Sequence, residues 1–134
     1  MSAKVASAVA LLLLCTLAQA QELRPVPVSA DHDPLYVDPA TVSRSGSRVN
    51  FKYVLDVPAA FEGYQARRWR SNEMTAVIDC AAKSMSITYV EAYAGPRATG
   101  NIVGRASMTA AERKPDPIVP GGTAAHLAAH LCPR

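Results

Sequence analysis

Hydrophobic and polar residues alternate with a period of two in three successive stretches of the chain. The first stretch, Arg48–Val57, places on one face the residues Val49, Phe51, Tyr53, Leu55 and Val57. The second places together Met74, Ala76, Ile78 and Cys80, and the third Met85, Ile87, Tyr89 and Tyr93. Such alternation is typical of half-buried strands, and residues 81–84 form a connection of hairpin length. The pattern predicts an antiparallel sheet.

Shorter segments extend this predicted sheet on both sides. Leu35–Asp38 is a short extended piece that Pro39 stops. Ser43–Ser47 is a polar turn in which Gly46 can adopt a positive φ. Ile102–Thr109 is a further strand, which ends before the proline-rich residues 115–120.

The end of the chain predicts a helix over Thr123–Cys132. Alanine and leucine recur there at helical spacing, and Thr123 follows two glycines as a candidate N-cap. The residues expected to face the sheet are Leu127, Leu131, Ala124 and Ala128. The expected fold is α+β, an antiparallel sheet of about four to six strands with a packed C-terminal helix.

The first twenty residues resemble a bacterial signal peptide. Lys4 precedes a nearly uninterrupted apolar run over residues 5–17, which as a helix spans only about 20 Å and is too short to cross a membrane. Small residues then precede a cleavage site between Ala20 and Gln21. We therefore predict a signal peptide over 1–20, an extended lead-in over 21–34 and a single domain over 35–134, exported to the periplasm or cell surface.

Cys15 offers a site for lipidation, which would anchor the chain to a membrane. The residue before it is Leu14, where the lipoprotein pattern has a small residue. We expect Cys15 to be removed unmodified with the signal peptide, leaving a mature chain without a transmembrane segment.

Removal of residues 1–20 leaves a small and weakly charged domain. Of the 14 basic residues only Lys4 is lost, so that 13 remain against 11 acidic residues, a net charge of +2. This charge is too low for a nucleic-acid-binding surface, and no nucleic-acid partner is expected.

The same cleavage leaves an even number of cysteines, Cys80 and Cys132, in an oxidising compartment. We predict a disulfide between them, with two free buried cysteines as the alternative. Neither cysteine has a Cys or His neighbour at the spacing of structural zinc sites.

A cationic and aromatic patch lies between the first two long strands: Arg67, Arg68, Trp69 and Arg70. Arginine pairs with sulfate, phosphate or carboxylate and the indole stacks, so the patch is a candidate site for a polyanion or an acidic protein surface. The competing interpretation, which we favour, is structural: the charges protect a strand edge while Trp69 fills the core.

His126 and His130 are four residues apart and would share one helix face, where two imidazoles can chelate a divalent metal. The HLAAH stretch has Leu127 where a zinc hydrolase carries its catalytic Glu, and His32, in the lead-in, is not an evident third ligand. The default interpretation is a pair of solvent-facing histidines. As an alternative to a role in binding proteins or polyanions, the chain could be a small periplasmic protein that binds a metal or another small ligand through His126 and His130.

Enzymatic motifs are not found in the sequence. The candidate acid–base groups lie on strands without the paired spacing of a catalytic cleft: Asp38, Asp56, Asp79, Glu73 and Glu91. There is neither a Gly-x-Ser-x-Gly elbow nor a glycine-rich phosphate loop. We predict an exported, non-enzymatic envelope or surface interaction protein that binds a protein or polyanionic partner and has no cofactor.

The order of these parts resembles the surface-adhesin protein E family over about residues 33–132. The resemblance rests on the Tyr36-Val37-Asp38 start, the Arg48–Val57 strand, Cys80 at a strand end, Pro120-Gly121 and Cys132. It implies an exported bacterial domain with an antiparallel sheet and a flanking helix, and binding to host extracellular-matrix proteins. No binding residue can be carried over by position.

Overall fold

A computed structural model describes residues 22–57 and 69–134. The predicted signal peptide lies outside this part of the chain, as do Arg67 and Arg68. The described residues form one sheet and one helix. The strands are β1 (Arg24–Pro25), β2 (Leu35–Ser45), β3 (Arg48–Asp56), β4 (Ser71–Asp79), β5 (Ser84–Tyr93), β6 (Ile102–Ser107) and β7 (Asp116–Pro117), and the helix is α1 (Thr123–Leu131).

The sheet is an antiparallel meander with the strand order β1-β2-β3-β4-β5-β6. β7 pairs with the end of β5 that β6 does not reach. The antiparallel sheet and its C-terminal helix agree with the predicted α+β fold, but the seven strands in the described residues exceed the expected four to six. β1 and β7 have two residues each, too few to leave a period-two signal in the sequence.

The hydrophobic core lies between one face of the sheet and α1. Of the inward positions predicted for the two central strands, Leu55, Val57 and Cys80 are only partly buried, and the other six are buried: Val49, Phe51, Tyr53, Met74, Ala76 and Ile78. Leu127 and Leu131 of α1 belong to the same cluster and are also buried, as expected. Burial of each such side chain contributes about 1.5–3 kcal/mol, so the two leucines stabilise the packing of the helix on the sheet by several kcal/mol.

The prediction that β5 keeps one apolar face along its whole length is wrong. Ile87 packs against the core, but Tyr89 pairs with Thr75, which lies on the opposite face, and Tyr93 follows Tyr89 there. The register between β4 and β5 shifts by one residue at this point, leaving Thr88 as an extra residue. A bulge of this kind reverses the facing of every later side chain and has no signature in the alternation itself.

The face of the sheet opposite α1 is more buried than a half-exposed strand pattern implies. Val54 is fully buried, and its pairing partner on β4, Glu73, is 6% exposed. Lys52 places its ammonium 3.6 Å from the Glu73 carboxylate. Sequence alternation assigned Val54 and Glu73 to the correct face but did not predict that they are buried.

β2 continues through Pro39, where the sequence predicted an end. The register with β3 is interrupted between Asp38 and Ser43. Inside this interruption the Thr41 hydroxyl donates to the Asp38 carbonyl at 2.7 Å and accepts from the Lys52 amide at 2.8 Å. A side chain thus replaces part of the backbone ladder and lets the strand pass the proline.

The stretch predicted as an extended lead-in takes part in the fold. β1 pairs with Tyr36 and Val37 of β2, and Val26 is 4% exposed and belongs to the core. The Val26 amide also donates to the Leu35 carbonyl at 2.8 Å. Residues before 35 therefore contribute buried apolar surface to the domain.

The start of α1 differs from the prediction in one respect. Gly122 is the N-cap, whereas Thr123, the expected cap, is the first helical residue. The Thr123 hydroxyl is hydrogen-bonded instead to Nε2 of His32 at 2.9 Å. This bond ties the helix start to the segment that precedes β2.

The end of α1 is fixed by two interactions. Arg44 donates from Nη1 to the Leu131 carbonyl at 2.6 Å, so a cation satisfies one of the carbonyls that a helix end leaves open. Cys132 forms a disulfide with Cys80, their Cα atoms being 5.7 Å apart. The predicted disulfide therefore holds the helix end to the residue after β4.

Candidate protein-interaction edge

The outer edge of β2 is protected against pairing with another chain. β1 covers its first part, at Tyr36 and Val37. The next part carries Pro39, which has no amide hydrogen, within the stretch where the register shifts. Prolines, bulges and short covering strands are the devices by which natural sheets discourage edge-to-edge association.

β6 forms the opposite edge; among the described residues it has neither a proline nor a covering strand, although its register with β5 shifts at Val103. Among the described strands it pairs only with β5, and all six of its residues are exposed. Ile102 and Val103 are 38% and 47% exposed, and Arg105 is the one charged residue of the strand. A free row of backbone groups beside exposed apolar side chains is the feature to which an extended segment adds as a further strand.

An ion pair links β6 to β5, and its glutamate also accepts a hydrogen bond from a tyrosine of β5. Arg105 approaches Glu91 of β5, with 3.6 Å between Nε and Oε1. The Tyr93 hydroxyl donates to the other Glu91 oxygen at 2.9 Å. Burial, together with this hydrogen bond, raises the pKa of the Tyr93 phenol, and desolvation and Glu91 also raise the pKa of Tyr89. Arg105 therefore has an acidic partner on the neighbouring strand β5, and this contact does not involve the backbone groups on the outer edge of β6.

The arginine and tryptophan patch is described only in part. Trp69 is half-buried, and its indole N–H is buried without a hydrogen-bond partner among the residues described. The Arg70 side chain is exposed, while its backbone accepts from the Val57 amide and donates to the Tyr93 carbonyl, both at 2.8 Å. The backbone at this position thus extends the sheet, and Arg67 and Arg68 remain a prediction.

The structure brings His126 into contact with His32. The His32 and His126 rings meet edge to face with 4.8 Å between their centroids. His32 is also bonded to Thr123 and to the Asp33 carbonyl, His126 lies 3.3 Å from the Ser29 hydroxyl, and His130 is exposed. Within residues 22–57 and 69–134 no group of three His, Cys, Asp or Glu residues is arranged to hold a metal. Metal binding by His126 and His130 stays a prediction.

The acidic residues considered for catalysis make structural contacts. Asp79 accepts at one oxygen from Ser47 and from the amides of Ala81 and Ala82, at 2.9–3.1 Å, and these bonds lower its pKa. An oxygen of Asp56 accepts from the Arg97 amide at 2.8 Å. Asp38 accepts from the Ala40 amide at 3.1 Å, and Glu73 and Glu91 form the ion pairs described above. Each of these carboxylates therefore takes part in a contact that stabilises a turn, a strand or an ion pair.

The sequence matches a known protein family over most of its length. Residues 24–133 match the family described as surface-adhesin protein E. The chain belongs to the surface-adhesin protein E family. This membership implies an exported or cell-surface protein, and no helix in the described part of the chain is long and apolar enough to span a membrane.

Solved structures of Haemophilus influenzae protein E share this fold. Crystal form II is 17% identical, covers 87% of this chain and 94% of its own, and has a TM-score of 0.60. The protein from non-typeable Haemophilus influenzae, also 17% identical, covers 87% of this chain and 81% of its own, with a TM-score of 0.56. No significantly similar sequence is found among curated proteins. At this identity the structural similarity establishes the fold alone.

Proposed function

We propose that this chain is an exported, non-enzymatic surface-interaction protein that binds a protein partner along the free edge of β6. The observation that carries the proposal is the contrast between the two sheet edges. One is covered and interrupted by Pro39, whereas the other exposes six residues, including Ile102 and Val103. Membership of a surface-adhesin family supports a role in binding, and the predicted signal peptide supplies the route of export.

The features of this edge favour a protein over a polyanion as the partner. Backbone pairing requires an extended polypeptide, and Ile102 and Val103 offer apolar contacts that a polysaccharide does not match. The single cation of the strand, Arg105, already lies beside Glu91. A net charge of +2 for the mature chain also provides little general attraction for a polyanion.

A binding measurement on an immobilised extracellular-matrix extract tests the proposal. Val103→Lys should weaken binding at least about tenfold, or about 1.4 kcal/mol, because a lysine on a strand edge opposes pairing and removes an apolar contact. The matched control is Val119→Lys, since Val119 is 68% exposed but lies outside β6. Equal binding by wild type and Val103→Lys, or an equal loss in the control, would overturn the proposal.

A further inference from the structure

An apolar recess of about 380 Å³ lies between α1 and the segment that leads to it. Its lining residues are Cys80, Lys83, Ile118, Pro120, Ala125, Ala128, Cys132 and Pro133. The helix contributes Ala125 and Ala128, which are three positions apart and share a face. Because their side chains are short, the helix leaves space here that a leucine would fill.

Both walls of the recess are fixed in place. On one side the Ile118 amide donates to the Lys83 carbonyl at 2.9 Å, and β7 pairs with β5 directly beside this contact. On the other side the disulfide holds Cys132 at the end of α1 against Cys80. A recess with two fixed walls needs little ordering when a ligand enters, which favours binding.

Lys83 is the one charged residue that lines this recess. Neither of the ion pairs found within the described residues includes it. It lies at the turn between β4 and β5, with a φ of 52°. An unpaired ammonium beside an apolar lining is complementary to a molecule with an apolar body and one anionic group.

We infer that this recess binds a free single-chain anionic amphiphile, with its acidic group at Lys83 and its chain against the alanine face of α1. The volume corresponds to about a dozen water-sized groups, enough for one short chain and too small for a patch of bilayer. The site is separate from the β6 edge and does not depend on the function proposed for that edge.

Titration of the mature chain with decanoate below its micelle concentration, followed by amide NMR, tests the inference. Saturable shifts should appear at Ile118, Ala125 and Ala128, and decyltrimethylammonium, which carries the opposite charge, should cause none. Lys83→Gln should weaken decanoate binding about tenfold, and Lys114→Gln, an exposed lysine outside the lining, should leave it unchanged. Ala125→Leu should abolish binding by filling the recess.

Lys83 is exposed, so Lys83→Gln should fold even where Ala125→Leu does not. Val103→Lys should bind decanoate like wild type, which separates this inference from the proposed function. The inference is overturned by non-saturable shifts, by equal affinity in Lys83→Gln, or by the same shifts with anionic lipid vesicles, which would indicate a membrane surface instead of a free ligand.

Discussion

Removal of the disulfide by the double substitution Cys80→Ala and Cys132→Ala should cost a large share of the domain's stability. The two cysteines are 52 positions apart. Closing a loop of that length restricts the unfolded chain by an entropy worth about 4 kcal/mol at 25 °C in the chain-entropy model. A domain of this size has a free energy of unfolding of only about 5 to 15 kcal/mol.

The native fold should survive this loss because other contacts hold α1. Leu127 and Leu131 remain buried against the sheet, and Arg44 still bonds the last turn of the helix. We therefore expect an unchanged far-ultraviolet spectrum in water and a urea transition displaced by about 1.3–4 M, which is a loss of about 4 kcal/mol divided by slopes of about 1–3 kcal/mol per M.

Urea unfolding of the oxidised wild type, the reduced wild type and the double variant measures this difference. Reduced wild type and double variant should agree closely, and thiol titration of the oxidised protein in denaturant should find no free thiol. A loss below about 1 kcal/mol, or two titratable thiols in the oxidised mature chain, would refute the reasoning. Leu127→Ala serves as a reference, with an expected loss of about 2–5 kcal/mol through a core cavity.

Two further predictions concern pH. Hydrogen bonds lower the pKa of Asp79 in the folded state, so its stabilisation is present above about pH 4 and is lost as the pH falls through the folded pKa. Asp79→Ala should therefore be less stable than wild type near neutrality and should approach wild-type stability in acid. Asp31→Ala, at an exposed position, should match wild-type stability at every pH. A difference in stability between Asp79→Ala and wild type that stays constant across pH would contradict this. Burial raises the pKa of Tyr93, so the folded state holds this proton more tightly and stability should decline above about pH 10. The decline should be less steep in Tyr93→Phe, and an equally steep decline in this variant and in wild type would contradict the prediction.

The central strands were predictable because their burial follows local alternation. Val49, Phe51 and Tyr53 face the core as a period of two requires. The same rule failed after Thr88, where one extra residue reversed the facing of Tyr89. A bulge depends on the pairing partner, and that partner is not visible in the sequence of the strand itself.

The helix illustrates a second limit. The span of the helix and its two buried leucines follow from the spacing of apolar residues. The hydrogen-bond partner of Thr123 does not, because that partner is His32, which lies 91 positions away in sequence. Thr123 was expected to cap the helix by a local bond, and a tertiary partner took its hydroxyl instead. His32 was likewise considered a distant lead-in residue until the fold placed it against His126.

The candidate edge could not be identified from the sequence alone. Ile102 and Val103 indicate a strand, but only the strand order shows that β6 is outermost and that β2 is protected. The disulfide was predictable because removal of the predicted signal peptide would leave two cysteines in an oxidising compartment. The recess at its flank depends on how residues 118–120 pass α1, which no local pattern encodes.

The most direct test of the central claim is labelling of intact cells with a membrane-impermeant amine reagent, followed by mass spectrometry of the mature chain. A surface-interaction protein should be labelled at exposed lysines such as Lys83 and Lys114 before the outer membrane is broken. Protection of both lysines until lysis, with labelling only afterwards, would confine the domain to the periplasm and contradict the account.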